Sequence, residues 1–147
     1  MSFAGRKVLV TGGNGFIGNY FAARFVQQKA TVMALSRYPS GLFRSGPKHK
    51  HPENDQIEWL KGSCLEPASF KEKINSADII VHTIGTLFDT TVGKGAKPGD
   101  PGTYEQMNRD TLTTLLNAID SPKKVVYISS ASHPPFLERY LSTKYEA

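Results

Sequence analysis

Lys7-Val8-Leu9-Val10-Thr11-Gly12-Gly13-Asn14-Gly15-Phe16-Ile17-Gly18 is the stretch that decides the fold. Its first five residues form a short apolar, β-branched run that stops at glycines, the mark of a buried strand. Beyond Gly15, the residues Ile17, Phe21 and Phe25 recur every four positions to about residue 28, which is one face of a helix. Residues 13–18, between the two, read G-x-G-x-x-G. That pattern alone is weak evidence; a strand before it and a helix after it give it meaning. Gly13 would allow the tight turn, Gly15 the approach of a pyrophosphate to the backbone, and Gly18 close packing of the helix on the sheet. The helix N-terminus then offers N–H groups and a partial positive charge to phosphates. Gly12, Gly13, Asn14, Gly15, Phe16, Ile17 and Gly18 are therefore read as the phosphate-facing loop of a dinucleotide site.

Residues 31–35 predict a second strand, which runs out at Ser36-Arg37. A binder of NAD usually places Asp or Glu there, about 20 residues after the glycines, to hold the ribose 2′-hydroxyl. Here no carboxylate stands ready to repel a 2′-phosphate, and a guanidinium can bond one in bidentate fashion. Ser36 and Arg37 thus favour NADP, with NAD as the alternative; in the other reading, Arg37 merely opens a basic loop. Residues 37–56 hold Pro39, Pro47 and Pro52 among many polar groups and predict a long loop. A third strand is expected over 57–61, and a helix over 67–75 with Pro67 in its first turn. The fourth strand, 78–84, is nearly all apolar, as strands covered on both faces are. A Gly/Pro-rich loop over 93–102 precedes a helix over 103–120 carrying Met107, Leu112, Leu115, Leu116 and Ile119. A fifth strand follows over 124–129, and after Pro134-Pro135 a last helix begins near Phe136. The alternation predicts an α/β fold: a doubly wound parallel sheet of about five strands with right-handed crossovers.

The chain of 147 residues suits one domain, residues 1–147. Hydrophobic residues at 39% and charged residues at 21% exclude a disordered chain. No stretch approaches the roughly 20 apolar residues of a membrane span, although peripheral attachment to a membrane is compatible with the sequence. The single cysteine, Cys64, excludes an internal disulfide and a cysteine-based zinc cluster, and no metal site is expected. The net charge of +5 is local in origin: Arg37, Arg44, Lys48 and Lys50 crowd one segment with His49 and His51. No nucleic-acid motif accompanies them, so the segment reads as a solvated loop and no nucleic-acid partner is expected. The N-terminus shows neither a secretory h-region nor an Arg- and Ser-rich presequence. Some mitochondrial matrix proteins lack such a segment as well.

Tyr140-Leu141-Ser142-Thr143-Lys144 reads Y-x-x-x-K. On a helix, positions i and i+4 share a face, and an ammonium beside a phenol favours the phenolate. Such a tyrosine can exchange a proton with substrate near neutral pH. The same lysine can reach a ribose hydroxyl. The motif follows the fifth strand, close to the edge of the sheet where ligands bind. Ser129, Ser130 and Ser132 lie between them; Ser130 is the candidate to hydrogen-bond a substrate carbonyl. These serines have a second reading as turn and cap residues.

Together these residues resemble the short-chain dehydrogenase/reductase superfamily, in its extended or atypical branch. Residues 10–18 look like that branch's T-G-G-x-G-x-x-G fingerprint, and Ser130, Tyr140 and Lys144 match its catalytic Ser, Tyr and Lys. Asn108 stands where the family often has an Asn, and Gly85, within Val81-His82-Thr83-Ile84-Gly85-Thr86-Leu87, stands among its cofactor contacts. Residues 104–110 and 140–147 resemble the mitochondrial atypical group. That group includes an NADPH-binding accessory subunit of respiratory complex I and, more similar here, a coenzyme Q biosynthesis protein. Two departures stand out. Only ten positions separate Ser130 from Tyr140, and Ser63 replaces the acidic residue that often touches adenine.

The resemblance implies three functions. The first is an NADP-dependent oxidoreductase of mitochondrial quinone metabolism. In it Tyr140 would be the acid/base, Lys144 its electrostatic support and Ser130 the carbonyl-orienting group. The second is a non-catalytic nucleotide-binding factor in the assembly or stability of a mitochondrial respiratory or coenzyme Q complex. The third is a nucleotide-sugar epimerase or dehydratase. A mitochondrial location is inherited from the resemblance, with a cytoplasmic one as the alternative. Full members of the superfamily continue beyond the Y-x-x-x-K helix, so the chain is expected to be the cofactor half of a larger protein, with the C-terminal part of the fold missing, or else a reduced relative that needs a partner to cover its open sheet edge.

Overall fold

Five apolar runs line up side by side as β1 (Lys7–Thr11), β2 (Thr31–Ser36), β3 (Glu58–Lys61), β4 (Ile79–His82) and β5 (Lys124–Tyr127). The computed structural model describes residues 3–38, 51–91, 95–132 and 138–147. All strand pairs are parallel, in the order β3-β2-β1-β4-β5. The chain steps outward from β1 to β3 and then returns to lay β4 on the other side of β1. The crevice at the carboxyl ends of β1 and β4 is the topological switch point, where doubly wound sheets bind ligands.

The two-residue period of the strands divides the core between two faces. Leu9, Met33, Leu35 and Ile80 point to one side, where they meet Phe70, Ile74 and Leu115. Ile74 belongs to α2 (Lys71–Ser76) and Leu115 to α3 (Thr111–Asn117). Val8, Val10, Val32, Ala34 and Val81 point to the other side, against Ala22, Phe21 and Phe25 of α1 (Phe16–Gln27). A fourth helix, α4 (Glu138–Tyr145), carries Tyr140 and Lys144. No helix among the described residues is long and apolar enough to cross a membrane.

The departures from the expected elements are local. Part of the long loop forms a 3₁₀ turn, Pro52–Gln56, and a second one, Pro67–Phe70, leads into α2. The strand expected over 78–84 ends at His82, with the Thr83 N–H still bonded to the Thr11 carbonyl at 3.1 Å. β5 likewise ends at Tyr127 and not at residue 129. The helix expected over 103–120 is not uniform: Glu105–Asp110 is one wide π-type turn, and α3 begins only at Thr111. The Thr111 hydroxyl donates to the Met107 carbonyl at 2.9 Å. Such back-bonding by a hydroxyl to the i−4 carbonyl competes with the backbone ladder and often bends a helix. Pro39, Arg44, Pro47, Lys48, His49, Lys50, Gly93 and residues 134–136 lie outside the described residues.

Candidate functional site

The glycine loop leaves β1 and turns back along β2. The turn residue is Gly12, with φ +75°, and not Gly13 as the motif had suggested. Gly13 is required for a different reason. Its N–H bonds the Leu35 carbonyl at 3.0 Å, and a Cβ there would stand 2.6 Å from the Ala34 Cβ. At Gly18 a Cβ would come within 2.2 Å of the Gly12 carbonyl oxygen, so this glycine sets how closely α1 approaches the loop. Gly15 is different: a Cβ there would meet only the Gly12 oxygen, at 3.1 Å, which leaves the space above it open. Gly15 also caps α1, with no side-chain cap and no acidic residue in the first turn. An anion at this helix end would meet no acidic side chain of that turn. Phe16 and Ile17 turn exposed side chains outward, 72% and 44% accessible, so their part in such a site would be played by backbone.

The end of β2 is tied to this loop. Asn14 Nδ2 donates to the Tyr38 carbonyl at 2.8 Å, and the Tyr38 N–H donates to Ser36 Oγ at 3.2 Å. A cleft of about 300 Å³ lies between the glycine loop and the ends of β2, β3 and β4, lined among others by Gly15, Ser36, Arg37, Ser63, Gly85 and Thr111. Ser63 Oγ accepts the Leu65 N–H at 3.3 Å.

Behind Gly85, which also lines the cleft, sits a compact polar cluster. A Cβ on Gly85 would lie 2.7 Å from Lys144 Nζ and 3.0 Å from Asn108 Oδ1. Asn108 is fully buried; its Oδ1 accepts the Thr86 N–H at 2.9 Å and its Nδ2 donates to Thr143 Oγ1 at 3.4 Å. Lys144 is also buried, and Nζ donates to the Ile128 carbonyl at 3.2 Å. Burial lowers its pKa to about 8. The Tyr140 ring stands edge-on to Tyr104, with centroids 5.7 Å apart. Ser130 Oγ donates to the Ser132 carbonyl at 2.8 Å, the bond of a turn residue. The structure thus gathers the glycine loop, Ser36, Arg37 and Gly85 around one cleft, with Asn108 and Lys144 directly behind Gly85. The Ser130 hydroxyl, in contrast, is engaged within its own loop.

Two features escaped the sequence reading. His82 is completely buried at the end of β4. Thr111 Oγ1 gives its proton to Met107, so it accepts from His82 Nε2–H at 3.3 Å, while Nδ1 accepts from Thr11 Oγ1 at 2.8 Å. Burial, with the Lys144 charge adding to it, lowers the imidazole pKa to about 3. The second feature is Arg139, which bonds both Glu105 oxygens at 2.8 Å and lies 3.0 Å from Asp89, whose side chain is 1% exposed. This cluster ties the segment after β4 to α4, one residue before Tyr140. A polar residue closing an apolar run was the only sequence signal for His82, and Arg139 gave none. Among the described residues, no three of His, Cys, Asp or Glu gather as a metal site.

Comparison with known proteins fits this geometry. The family model described as "NAD dependent epimerase/dehydratase family" matches residues 8–143. MIOREX complex component 2 of Saccharomyces cerevisiae is 31% identical over 108 residues, covering 70% of this chain and 36% of the yeast protein. A UDP-N-acetyl-alpha-D-glucosaminuronate decarboxylase of Bacillus cytotoxicus is 26% identical over 140 residues, covering 90% of this chain and 40% of its own. The chain therefore spans less than half the length of these curated relatives. A short-chain dehydrogenase structure from Shigella flexneri superposes with a TM-score of 0.74 at 20% identity, over 98% of this chain and 64% of that one.

Proposed function

Since the chain belongs to the NAD-dependent epimerase/dehydratase family and is an NAD(P)-binding Rossmann protein, we propose that it forms the NADP-binding part of an oxidoreductase. One observation carries this reading: a buried ammonium, Lys144, stands directly behind Gly85, which lines the same cleft as the glycine loop. The residues fit a dinucleotide. Gly15 and the start of α1 would hold the pyrophosphate, Arg37 the 2′-phosphate, and Lys144 a hydroxyl of the nicotinamide ribose. When bound, the nicotinamide ring supplies hydride exchange with a carbonyl or alcohol. Tyr140 would pass its hydroxyl proton to the carbonyl oxygen, and the Lys144 charge would stabilise the resulting phenolate. Ser130 would have to release the Ser132 carbonyl before its hydroxyl could orient a substrate.

The link to mitochondrial quinone metabolism, and the mitochondrial location, rest on resemblance to the atypical group. A second reading, a non-catalytic member of a protein complex, is favoured by the similarity to a protein named as a complex component. A third, action on a nucleotide sugar, is favoured by the similarity to the UDP-sugar decarboxylase.

Fluorescence titration and turnover assays separate these readings. Arg37→Asp is expected to weaken NADPH at least about tenfold more than NADH, since it replaces an attractive charge with a repulsive one. Equal loss of both removes the 2′-phosphate role. If the protein binds NADPH but no quinone, ketone or aldehyde oxidises it, the oxidoreductase reading fails. If Tyr140→Phe abolishes a measured turnover and leaves NADPH binding intact, the scaffold reading fails. Saturable UDP-sugar binding by the NADPH-loaded protein would favour the third reading.

A further inference from the structure

Lys144 is a buried cation that forms no ion pair with a carboxylate among the described residues. Among the described residues its Nζ has one hydrogen bond, to the Ile128 carbonyl at 3.2 Å. Its other close partner is the face of Tyr127, whose ring centroid lies 4.8 Å from Nζ. That is inside the roughly 6 Å over which an aromatic quadrupole attracts a cation, and the attraction grows when the cation is desolvated. Tyr127 is held firmly enough to play this part. It is the last residue of β5, paired in register with His82, and its ring lies 5.9 Å from the imidazole. Its hydroxyl donates to the Asn108 carbonyl at 3.3 Å, in the π-type turn. Ring face and hydroxyl therefore serve different neighbours. A carboxylate in the place of the ring would hold the ammonium more strongly. It would also set a negative charge beside a cleft built to take a polyanionic ligand.

We propose that Tyr127 is a positioning residue for Lys144, the face of its ring standing in for a carboxylate and keeping the ammonium charged and aimed at the dinucleotide cleft. The proposal rests on the reading that Lys144 contacts the bound dinucleotide. Among the described residues, the titratable and charged neighbours are few. From β4 comes His82, held neutral. From β5 comes Tyr127 itself, its phenol pushed up to about 12 by burial and the nearby Tyr140. The π-type turn brings Arg109 and Asp110, paired at 2.8 Å, and α4 brings Tyr140 and Glu146, the latter paired to Arg109 at 3.1 Å. Lys144 titrates in this setting with a pKa of about 8.

The experiment is NADPH titration by fluorescence from pH 7 to 10, with Y127F, Y127L and K144M. It is repeated on a Y140F background, so that this phenol stays out of the profile. Y127F is expected to keep the affinity and the pH profile. Y127L is expected to bind about three- to tenfold more weakly at pH 7.5, its alkaline loss of affinity beginning roughly half to one pH unit lower. Wild-type affinity and profile in folded Y127L overturn the proposal. So does an equal loss in Y127F, because the hydroxyl bond would then carry the effect. Unchanged NADPH affinity in K144M overturns the reading beneath the proposal instead. Should Y127L fail to fold, lysine-labelled wild-type protein decides by NMR. Lys144 ε-methylene protons displaced upfield by the ring current support the proposal, and random-coil positions overturn it.

Discussion

His82 shows how one buried side chain can join three elements. It takes a hydrogen bond from Thr11 of β1 and gives one to Thr111 of α3, across 71 and 29 positions of sequence. The network has one donor for each acceptor, so it stands only while the ring is neutral. The folded pKa of about 3 lies below the ordinary value of 6.5. Between those two values the unfolded chain holds a proton that the native chain refuses. Stability is therefore intact above pH 6.5 and falls as the pH drops, by at most about 1.4 kcal/mol per unit. Urea unfolding at pH 7 and pH 5 checks this: the wild type is expected to lose about 2 kcal/mol more than His82→Gln over that interval. Equal losses would show that the imidazole protonates in the native state. The sequence displayed His82 as a polar break in an apolar run, but its partners come from distant elements that only the folded sheet brings together.

At the scale of the element, the glycine loop separates packing from binding. Gly18 sits where a methyl group would stand 2.2 Å from a backbone oxygen, and no side-chain rotation can relieve that. Gly18→Ala is expected to destabilise the fold by about 3 kcal/mol. Gly15, extended at φ −76° and ψ 167°, has a backbone that alanine adopts, and the Gly12 oxygen, 3.1 Å from where its Cβ would stand, has only a few tenths of an ångström to give. Gly15→Ala is expected to stay within about 1 kcal/mol of wild type and to lose most of its NADPH affinity, because the methyl group fills the open cradle. Thermal denaturation and NADPH titration of the pair test the division. Arg139 makes the complementary case. Arg139→Met leaves the buried Asp89 without its cation and is expected to cost about 3 kcal/mol, read by the same denaturation. This level was only partly legible in the sequence. The spacing of the glycines announced the loop, because strand, turn and helix are neighbours in the chain. It misassigned the turn to Gly13, since the positive φ at Gly12 follows from how the loop folds back on β2. The π-type turn over Glu105–Asp110 was illegible, as residues 103–120 keep a helical apolar pattern straight through it.

For the whole molecule, the parallel sheet was readable because each apolar run was short, bounded and separated by a helix, which leaves right-handed crossovers as the economical solution, whereas the order β3-β2-β1-β4-β5 came only with the structure. What could not be read is how unequal the strands are. β1 is paired on both sides and packed on both faces, with Val8, Leu9 and Val10 all fully buried. β5 is an outer strand among the described residues, and Val126 is 46% exposed on it. Backbone amides in such a strand exchange through local opening, whereas those of β1 wait for global unfolding. Hydrogen exchange is therefore expected to be slowest in β1, β2 and β4 and much faster in β5. A dinucleotide that binds only the folded chain adds about 2.7 kcal/mol to global opening at a hundredfold excess over Kd. Saturating NADPH is thus expected to slow the β1 amides about a hundredfold. In β5 the gain should be smaller at Lys124, far from the cleft, and larger at Tyr127, which backs Lys144. Uniform protection along β5 would mean that the strand already opens together with the core. The dinucleotide would then report on the sheet as one cooperative unit, and not on a cleft built at its carboxyl edge.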